Sequence, residues 1–303
     1  MSLQTTDRPR VLICPVCHSE TFGARFEIKG IRIEACDRCG LVLQNPQPTD
    51  RELAAIYGID YFIGASGNDQ FAQQFELVKR ATARLQLDEI AAYLTEHGRS
   101  EKKLRLLEVG CGHGNMLYEA RARGFLVEGL EYSVDAAQRA NDNLGAEVVR
   151  VGAVGETALP EKSYDICILA DVIEHVRDPE NFLRHISRIL KDDAVIFIAT
   201  PSTDSWSARA LGRQWMEFKP EHLFYFSRET IQRLLASAGF SDITITTGRK
   251  MLTLDYIIGH FEKFPTPVIS PSLRIVRALA PDALLGKLWN VTASGINAFA
   301  TKR

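Results

Sequence analysis

The sequence lacks any apolar run of the roughly 18 residues that a membrane span requires. Even its apolar C-terminal region is broken by Lys263, Pro265, Arg274, Arg277, Pro281 and Lys287. It also has almost no net charge, with 36 Lys and Arg against 38 Asp and Glu in 303 residues, a formal −2. No overall field therefore draws it toward nucleic acid or anionic lipid. Cysteine is scarce, and its arrangement is not that of a disulfide scaffold: four of the six stand as two tight pairs near the N-terminus, while Cys111 and Cys167 lie singly in apolar runs. Residues 1–10 carry charge but no apolar core of signal-peptide length follows them, so a cytoplasmic protein is expected. Repeats and low-complexity segments are missing too. What is present is a globular composition, 46% hydrophobic and 24% charged, long enough for one full core and a smaller appendage.

From about residue 103, short apolar runs at 104–109, 126–130, 148–151, 166–170 and 195–199 alternate with helical stretches. Strands apolar on both faces predict a parallel sheet between layers of helices. Asp178 is placed to cap one helix, with Pro179 at its first position and Phe182, Leu183, Ile186, Ile189 and Leu190 as its stripe. Ser227 opens another and Gly239 stops it. Residues 242–247 alternate like a strand with one wet face, and 296–300 predict a final strand. Residues 249–290 break the alternation and predict an inserted helical lid or contact surface. Pro46 and Pro48 mark a boundary, after which Thr49 and Asp50 can cap a helix. The expected organisation is a small module at 1–48, a helical linker and cofactor lid at 49–100 that includes an amphipathic helix over 68–97, and a main domain at 101–303. Tyr57, Tyr61 and Phe62 in the linker either fold over a ligand or simply pack.

Cys14 and Cys17 form one C-x2-C pair, Cys36 and Cys39 another, with 18 residues between them. This spacing fits four thiolates around a structural zinc ion, each pair on a tight turn and the long loop returning the second turn opposite the first. Basic residues near the pairs (Lys29, Arg32, Arg38) are balanced by Glu20, Glu27, Glu34 and Asp37, which favours a structural or substrate-gating zinc ribbon over a nucleic-acid grip.

Gly110-Cys111-Gly112-His113-Gly114 follows a predicted strand and opens a predicted helix. Glu131 ends the next strand 21 residues after Gly110, where a carboxylate can accept both hydroxyls of a ribose. Two positions discriminate among adenosine cofactors. Asn115 stands where a dinucleotide loop would have its third glycine, and Glu108 stands just before the first glycine. An acid there repels a pyrophosphate but attracts an ammonium group. Adenosine, no phosphate and a cationic amino-acid end describe S-adenosylmethionine.

The run from 107 to 114, Glu131, Ser163-Tyr164-Asp165-Ile166, the segment from Asp171 through Glu174 and His175 to Pro179, and Ala199-Thr200-Pro201 together resemble the class I S-adenosylmethionine-dependent methyltransferases. The resemblance covers about residues 104–248 and implies an α/β, Rossmann-like, seven-stranded sheet whose last strand is antiparallel. The cysteine pairs followed by Gly40-Leu41-Val42 and Asn45-Pro46 look like a subgroup with a zinc ribbon before that domain. Relatives of this kind often modify a small-molecule, sugar or lipid acceptor in biosynthesis. Many members carry an acid after the third strand for the adenine amine; this chain reads Gly152-Ala153-Val154-Gly155-Glu156. Adenine is then expected against the backbone around Ala153 and Val154, with Glu156 a lesser candidate.

Strand ends meet the ligand crevice in this fold, which places residues 170–175, beginning with Ala170, beside the transferred methyl. Asp171, Glu174 and His175 fall at i, i+3 and i+4, so a helical turn would gather them on one face to orient a substrate, hold a divalent ion or satisfy loop backbone groups. Downstream, Trp215, Phe218, Phe224, Tyr225 and Phe226 surround His222. The resemblance puts this aromatic segment over the acceptor, where His222 is a candidate base with a pKa near working pH, or a core histidine. Oxygen, nitrogen and carbon acceptors all stay open. Rival readings are an RNA methyltransferase gripping substrate with the ribbon, against which the near-zero charge argues, and a non-catalytic cofactor-binding regulator.

Overall fold

In the computed structural model, which describes residues 8–56, 70–100, 103–263 and 269–303, each predicted apolar run becomes a strand. The N-terminal module contributes β1 (Phe22–Ile28), β2 (Ile31–Cys36) and β3 (Val42–Gln44). Lys29 and Gly30, both at positive φ, make the two-residue turn between β1 and β2 that suits a twisted hairpin. Two helices follow, α1 (Asp50–Ile56) and α2 (Gln70–Glu96). The first opens on a reciprocal cap: Glu52 N–H donates to Thr49 Oγ1 and Thr49 N–H donates to Glu52 Oε2.

The main unit then alternates β4 (Arg105–Val109), α3 (Asn115–Ala122), β5 (Leu126–Glu131), α4 (Val134–Leu144), β6 (Val149–Val151), β7 (Tyr164–Ala170), α5 (Pro179–Ile189) and β8 (Leu190–Pro201). Beyond it come α6 (Trp206–Leu211), β9 (Phe224–Tyr225), α7 (Arg228–Ser237), β10 (Phe240–Leu252), α8 (Leu254–Lys263), α9 (Ile269–Leu279), α10 (Asp282–Leu285) and β11 (Trp289–Lys302). Asp178 accepts from Asn181 N–H at the start of α5, and Ser227 forms a capping box with Thr230 at the start of α7.

Seven strands form one sheet in the order β10-β11-β8-β7-β4-β5-β6, with β11 antiparallel to both neighbours. Alternate side chains enter two cores: Leu107, Cys167, Leu169 and Ile196 on one face, Leu106, Ile166, Ile168 and Phe197 on the other. The α2 helix covers the second face through Leu87, Ile90 and Leu94. Chain order reverses between β4 and β7, which opens a crevice at their carboxyl ends.

Two boundaries differ from the sequence reading. Strands β10 and β11 stay paired from Arg249↔Thr292 to Leu252↔Trp289, so the helical insertion occupies 253–288 rather than 249–290. The extension shows no apolar run or alternation because Arg249, Lys250, Asn290 and Thr292 are mixed with Met251, Leu252, Trp289 and Val291. The N-terminal module is also not a separate body. Its sheet is completed by β9 of the main unit (Val42↔Tyr225, Leu43↔Phe224), and Cys14, Leu41 and Leu43 share a core with Leu169, Leu183 and Phe226. Across the compositional break at Pro46 and Pro48, Arg177 of the main unit bonds Gln47, the Pro48 carbonyl and Asp50.

Candidate active site

A cavity of about 690 Å³ lies at the carboxyl ends of β4, β5 and β7. Its floor is the glycine loop, with Gly110 (φ 69°), Gly112 (φ 51°) and Gly114 (φ 75°) all left-handed. A Cβ at Gly110 would come within 2.7 Å of Val172 Cγ2. Gly112 and Cys111 line the cavity, although the buried Cys111 side chain packs toward Gly129. Gly114 lies outside the lining; a Cβ there would meet Ala140 at 3.1 Å, so its smallness serves the packing of α3 on α4.

Two carboxylates stand over the loop. Glu131 accepts from Gly112 N–H at 2.8 Å and from Ser133 N–H at 2.9 Å, which fixes its plane and leaves further lone pairs toward the cavity. Glu108 is 5% exposed and its Oε2 is buried with no hydrogen-bond partner among the described residues. Burial and the neighbouring Glu131 charge push its pKa well above the carboxylate range, with Lys79 opposing them. Ala153, Val154 and Ala170 border the same cavity, whereas Glu156 is exposed and outside the lining. From the expected lid, Leu53 of α1 and Phe75 and Val78 of α2 border it; Tyr57, Tyr61 and Phe62 lie outside the described residues.

A second cavity of about 260 Å³ adjoins the first and shares Asp171, Lys79, Lys250 and Tyr256 with it. Asp171, Glu174 and His175 all border this smaller cavity, although not by way of one helical turn. Asp171 sits at φ 56°, and residues Ile173–His175 form a single 3-10 turn. Its carboxylate turns to Lys250 at 3.3 Å and Lys79 at 4.0 Å. Burial raises the Asp171 pKa, but Lys250, Lys79 and Lys219 overcome it and hold the group below the usual carboxylate range. Glu174 instead gathers with His175 and His222, their ligand-type atoms within 4.8 Å of one another. It accepts from the Thr200 hydroxyl at 2.9 Å, while its Oε1 is buried and unpartnered. Burial, then Asp171, pushes Glu174 up to about 8.

His175 Nδ1 bonds the Glu221 carbonyl at 3.0 Å, and its ring meets that of His222 edge to face at 4.8 Å. Burial lowers His175 to about 4, and burial with Lys219 and His175 lowers His222 to about 3. The His222 pKa near working pH that its residue type predicts is therefore corrected by its surroundings: it is neutral throughout the working range. Among the described residues His222 Nδ1 has no hydrogen-bond partner, and it lies 4.0 Å from Glu217 Oε2. Backbone bonds fix this grouping, with Gln44 N–H donating to the Leu223 carbonyl and Leu223 N–H to that of Glu174.

The sequence reading omitted Lys79, Glu217, Lys219 and Lys250. Glu217 and Lys219 stand within the aromatic segment and carried that much signal, but Lys250 reaches the cavity only through the undetected extension of β10.

In the N-terminal module, the Cys14 and Cys39 sulfurs are 3.6 Å apart and those of Cys17 and Cys36 3.4 Å. All four sulfurs lie within 4.8 Å of one another. A tetrahedron with metal–sulfur bonds of about 2.3 Å has edges of about 3.8 Å, so the donor set fits that geometry.

The raised Glu174 pKa generates a stability prediction. The folded chain keeps this proton up to about pH 8, whereas an unfolded carboxyl at 4.5 releases it earlier, so stability falls as pH rises between those values. Glu174→Gln keeps an acceptor for Thr200 and removes the titration. Melting temperatures from pH 5 to 8.5 should show the natural chain losing ground to the variant as pH rises; parallel curves would refute the protonated Glu174.

The comparisons with known proteins follow this geometry. A family model described as a methyltransferase domain matches residues 69–245, more than half of the chain. The ubiquinone biosynthesis O-methyltransferase of Caulobacter vibrioides is 36% identical over 103 residues, covering 32% of this chain and 40% of that protein. A probable S-adenosylmethionine-dependent methyltransferase of Mycobacterium tuberculosis is 28% identical over 142 residues, covering 46% and 50%. The chain thus spans half or less of the length of these curated relatives. Among solved structures, magnesium protoporphyrin IX methyltransferase from Synechocystis with bound SAH aligns with a TM-score of 0.52 at 14% identity, over 84% of this chain and 100% of that one. A SAM-dependent methyltransferase from Thermotoga maritima, described as a possible histamine N-methyltransferase, gives 0.51 at 17% identity over 83% and 99%. These structural likenesses show the fold, and the family match over residues 69–245 shows that the chain belongs to the methyltransferase-domain family.

Proposed function

We propose that the protein transfers the methyl group of S-adenosylmethionine to a small-molecule acceptor, of which sugars and lipids are instances, in a biosynthetic pathway. The observation that carries the reading is Glu108: a buried carboxylate with an unpartnered oxygen at the wall of the larger cavity, beside a glycine loop. Burial and Glu131 hold this carboxyl toward its protonated form, and an ammonium group seated beside it reverses that balance, whereas a phosphate offers it no counter-charge. Glu131, held by the Gly112 and Ser133 amides, offers lone pairs to the two hydroxyls of a ribose. Ala153 and Val154 line the side where an adenine would lie. Bound in this cavity, S-adenosylmethionine supplies an electrophilic methyl group on a sulfonium.

The chain's own task is then to orient the acceptor and accept its proton. His222 Nδ1 is the atom available for that proton, and Glu217 Oε2 at 4.0 Å stabilises the imidazolium so formed. Asp171 remains ionised between two lysines and is a positioning group. His175, tied to the Glu221 carbonyl, packs the His222 ring from its edge. We also propose that Cys14, Cys17, Cys36 and Cys39 hold a structural zinc ion, on the donor type and the sulfur spacings.

Affinity tests the cofactor assignment. Hydrogen bonds to a charged acceptor contribute roughly 1.5–3 kcal/mol each, so Glu131→Ala should weaken S-adenosylmethionine binding about a hundredfold or more by calorimetry. Unchanged affinity, or tight binding of a nicotinamide dinucleotide to the natural chain, would overturn it. For zinc, elemental analysis should read one ion per chain. Because the module shares its core with the main unit, chelation should lower the melting temperature of the whole chain, not release a separate early transition. For the chemical step, a positioned base is worth about a hundredfold to ten-thousandfold, so His222→Ala should lower turnover of a hydroxyl or carbon acceptor by that range with cofactor affinity nearly unchanged. The natural enzyme should show no loss attributable to His222 between pH 7 and 5, since its pKa lies at about 3. A near-normal single-turnover rate in the variant would remove His222 from the mechanism.

A further inference from the structure

We propose that the acceptor carries an anionic group, a carboxylate or a phosphate, and that Lys219 and Lys250 bind it in the smaller cavity with Lys79 at the mouth. The inference rests on the methyl-transfer reading and adds to it the charge class of the acceptor.

Three ammonium groups border this cavity, and among the described residues of its lining two carboxylates, Asp171 and Glu217, answer them; Glu221, outside the lining, also acts on Lys219. Asp171 is shared by Lys250 and Lys79, and Glu217 pairs with Lys219 at 3.0 Å. Arg249 also borders the cavity, but its guanidinium faces Glu89 at 3.8 Å. Of the other titratable groups facing the lysines, Glu174 is protonated, His175 and His222 are neutral, the Tyr256 phenol and the Glu108 carboxyl beside Lys79 are raised by burial, and Glu221 acts on Lys219 from outside the lining. The lining itself thus carries more ammonium groups than carboxylates before any ligand enters, and a sulfonium bound next door would add another positive charge. An anionic acceptor completes this balance, whereas a protonated amine opposes it.

The same charges bear on the base. After burial, Lys219 is the largest influence lowering His222. An anion on Lys219 offsets that influence and makes the imidazole a better proton acceptor when the acceptor is seated. Charge recognition and base strength are joined through one ammonium group.

The test uses the full chain saturated with S-adenosylhomocysteine and titrated calorimetrically with inorganic phosphate, acetate and, as a cationic control, ethylammonium. The expected result is saturable binding of phosphate or acetate, none of ethylammonium, and at least a tenfold loss of the anion affinity in both Lys219→Gln and Lys250→Gln. The tighter of the two anions identifies the group. In histidine NMR spectra, the anion should move the His222 titration to higher pH, and this shift should vanish in Lys219→Gln, which a merely structural lysine would not produce. Anion binding that is absent, or equal in the natural chain and both variants, overturns the proposal. Lys219→Gln, whose residue lies outside the larger cavity, should bind S-adenosylhomocysteine as the natural chain does; failure of the natural chain to bind it would instead reject the methyl-transfer reading itself.

Discussion

Burial of β4 and β7 on both faces is the constraint from which the site follows. Leu106, Leu107, Ile166, Cys167, Ile168 and Leu169 are all fully enclosed, so no polar side chain can be solvated along the middle of either strand. Polar groups collect where the strands end, and the topology reverses at that edge. Glu108, Asp171 and Glu174 consequently share one partly dry region and respond differently to it. Asp171 finds lysines and stays ionised; Glu174 finds a hydroxyl and keeps its proton; Glu108 has a buried oxygen with no protein partner. Three carboxyl groups of similar intrinsic acidity are separated by their surroundings alone.

The N-terminal module enters this arrangement through the backbone. Pairing of β3 with β9 sets the register of the segment carrying His222, and Leu223 passes the constraint to Glu174 by its amide. The four cysteines thus stand at one end of a short chain of hydrogen bonds and the two histidines at the other. A module that by composition resembles an appendage forms one wall of the smaller cavity's support.

Much of this was legible in the amino-acid order, for local reasons. Strands apolar on both faces leave unbroken runs, Asp178 with Pro179 and Ser227 with its following stripe announce helix starts, and paired cysteines announce their own convergence. The glycine loop was readable because φ values above zero favour glycine. What was not legible depends on contacts distant in sequence. Lys250 reaches the cavity because β10 and β11 continue pairing through a mixed stretch that shows no strand-like alternation. The different partners of Asp171 and Glu174 within one cavity go with the left-handed backbone at Asp171, which an i, i+3, i+4 spacing cannot reveal. The basicity of His222 is set by burial and by Lys219, neither of which is visible in its neighbours along the chain.

Close approach of β11 to β8 carries a consequence for how substitutions will be tolerated. A Cβ on Gly295 would stand 2.6 Å from the Thr200 carbonyl oxygen, and one on Gly248 would stand 3.0 Å from the Gly295 carbonyl carbon. Any side chain at Gly295 must therefore wedge the antiparallel strand away from Thr200. That residue's hydroxyl is the partner of Glu174, so the displacement bears on the grouping of Glu174 with the two histidines as well as on the adjoining core residue Ile296. The spacing between these two strands works as a gauge for the cleft. At this glycine the requirements of architecture and of chemistry therefore fall on a single position.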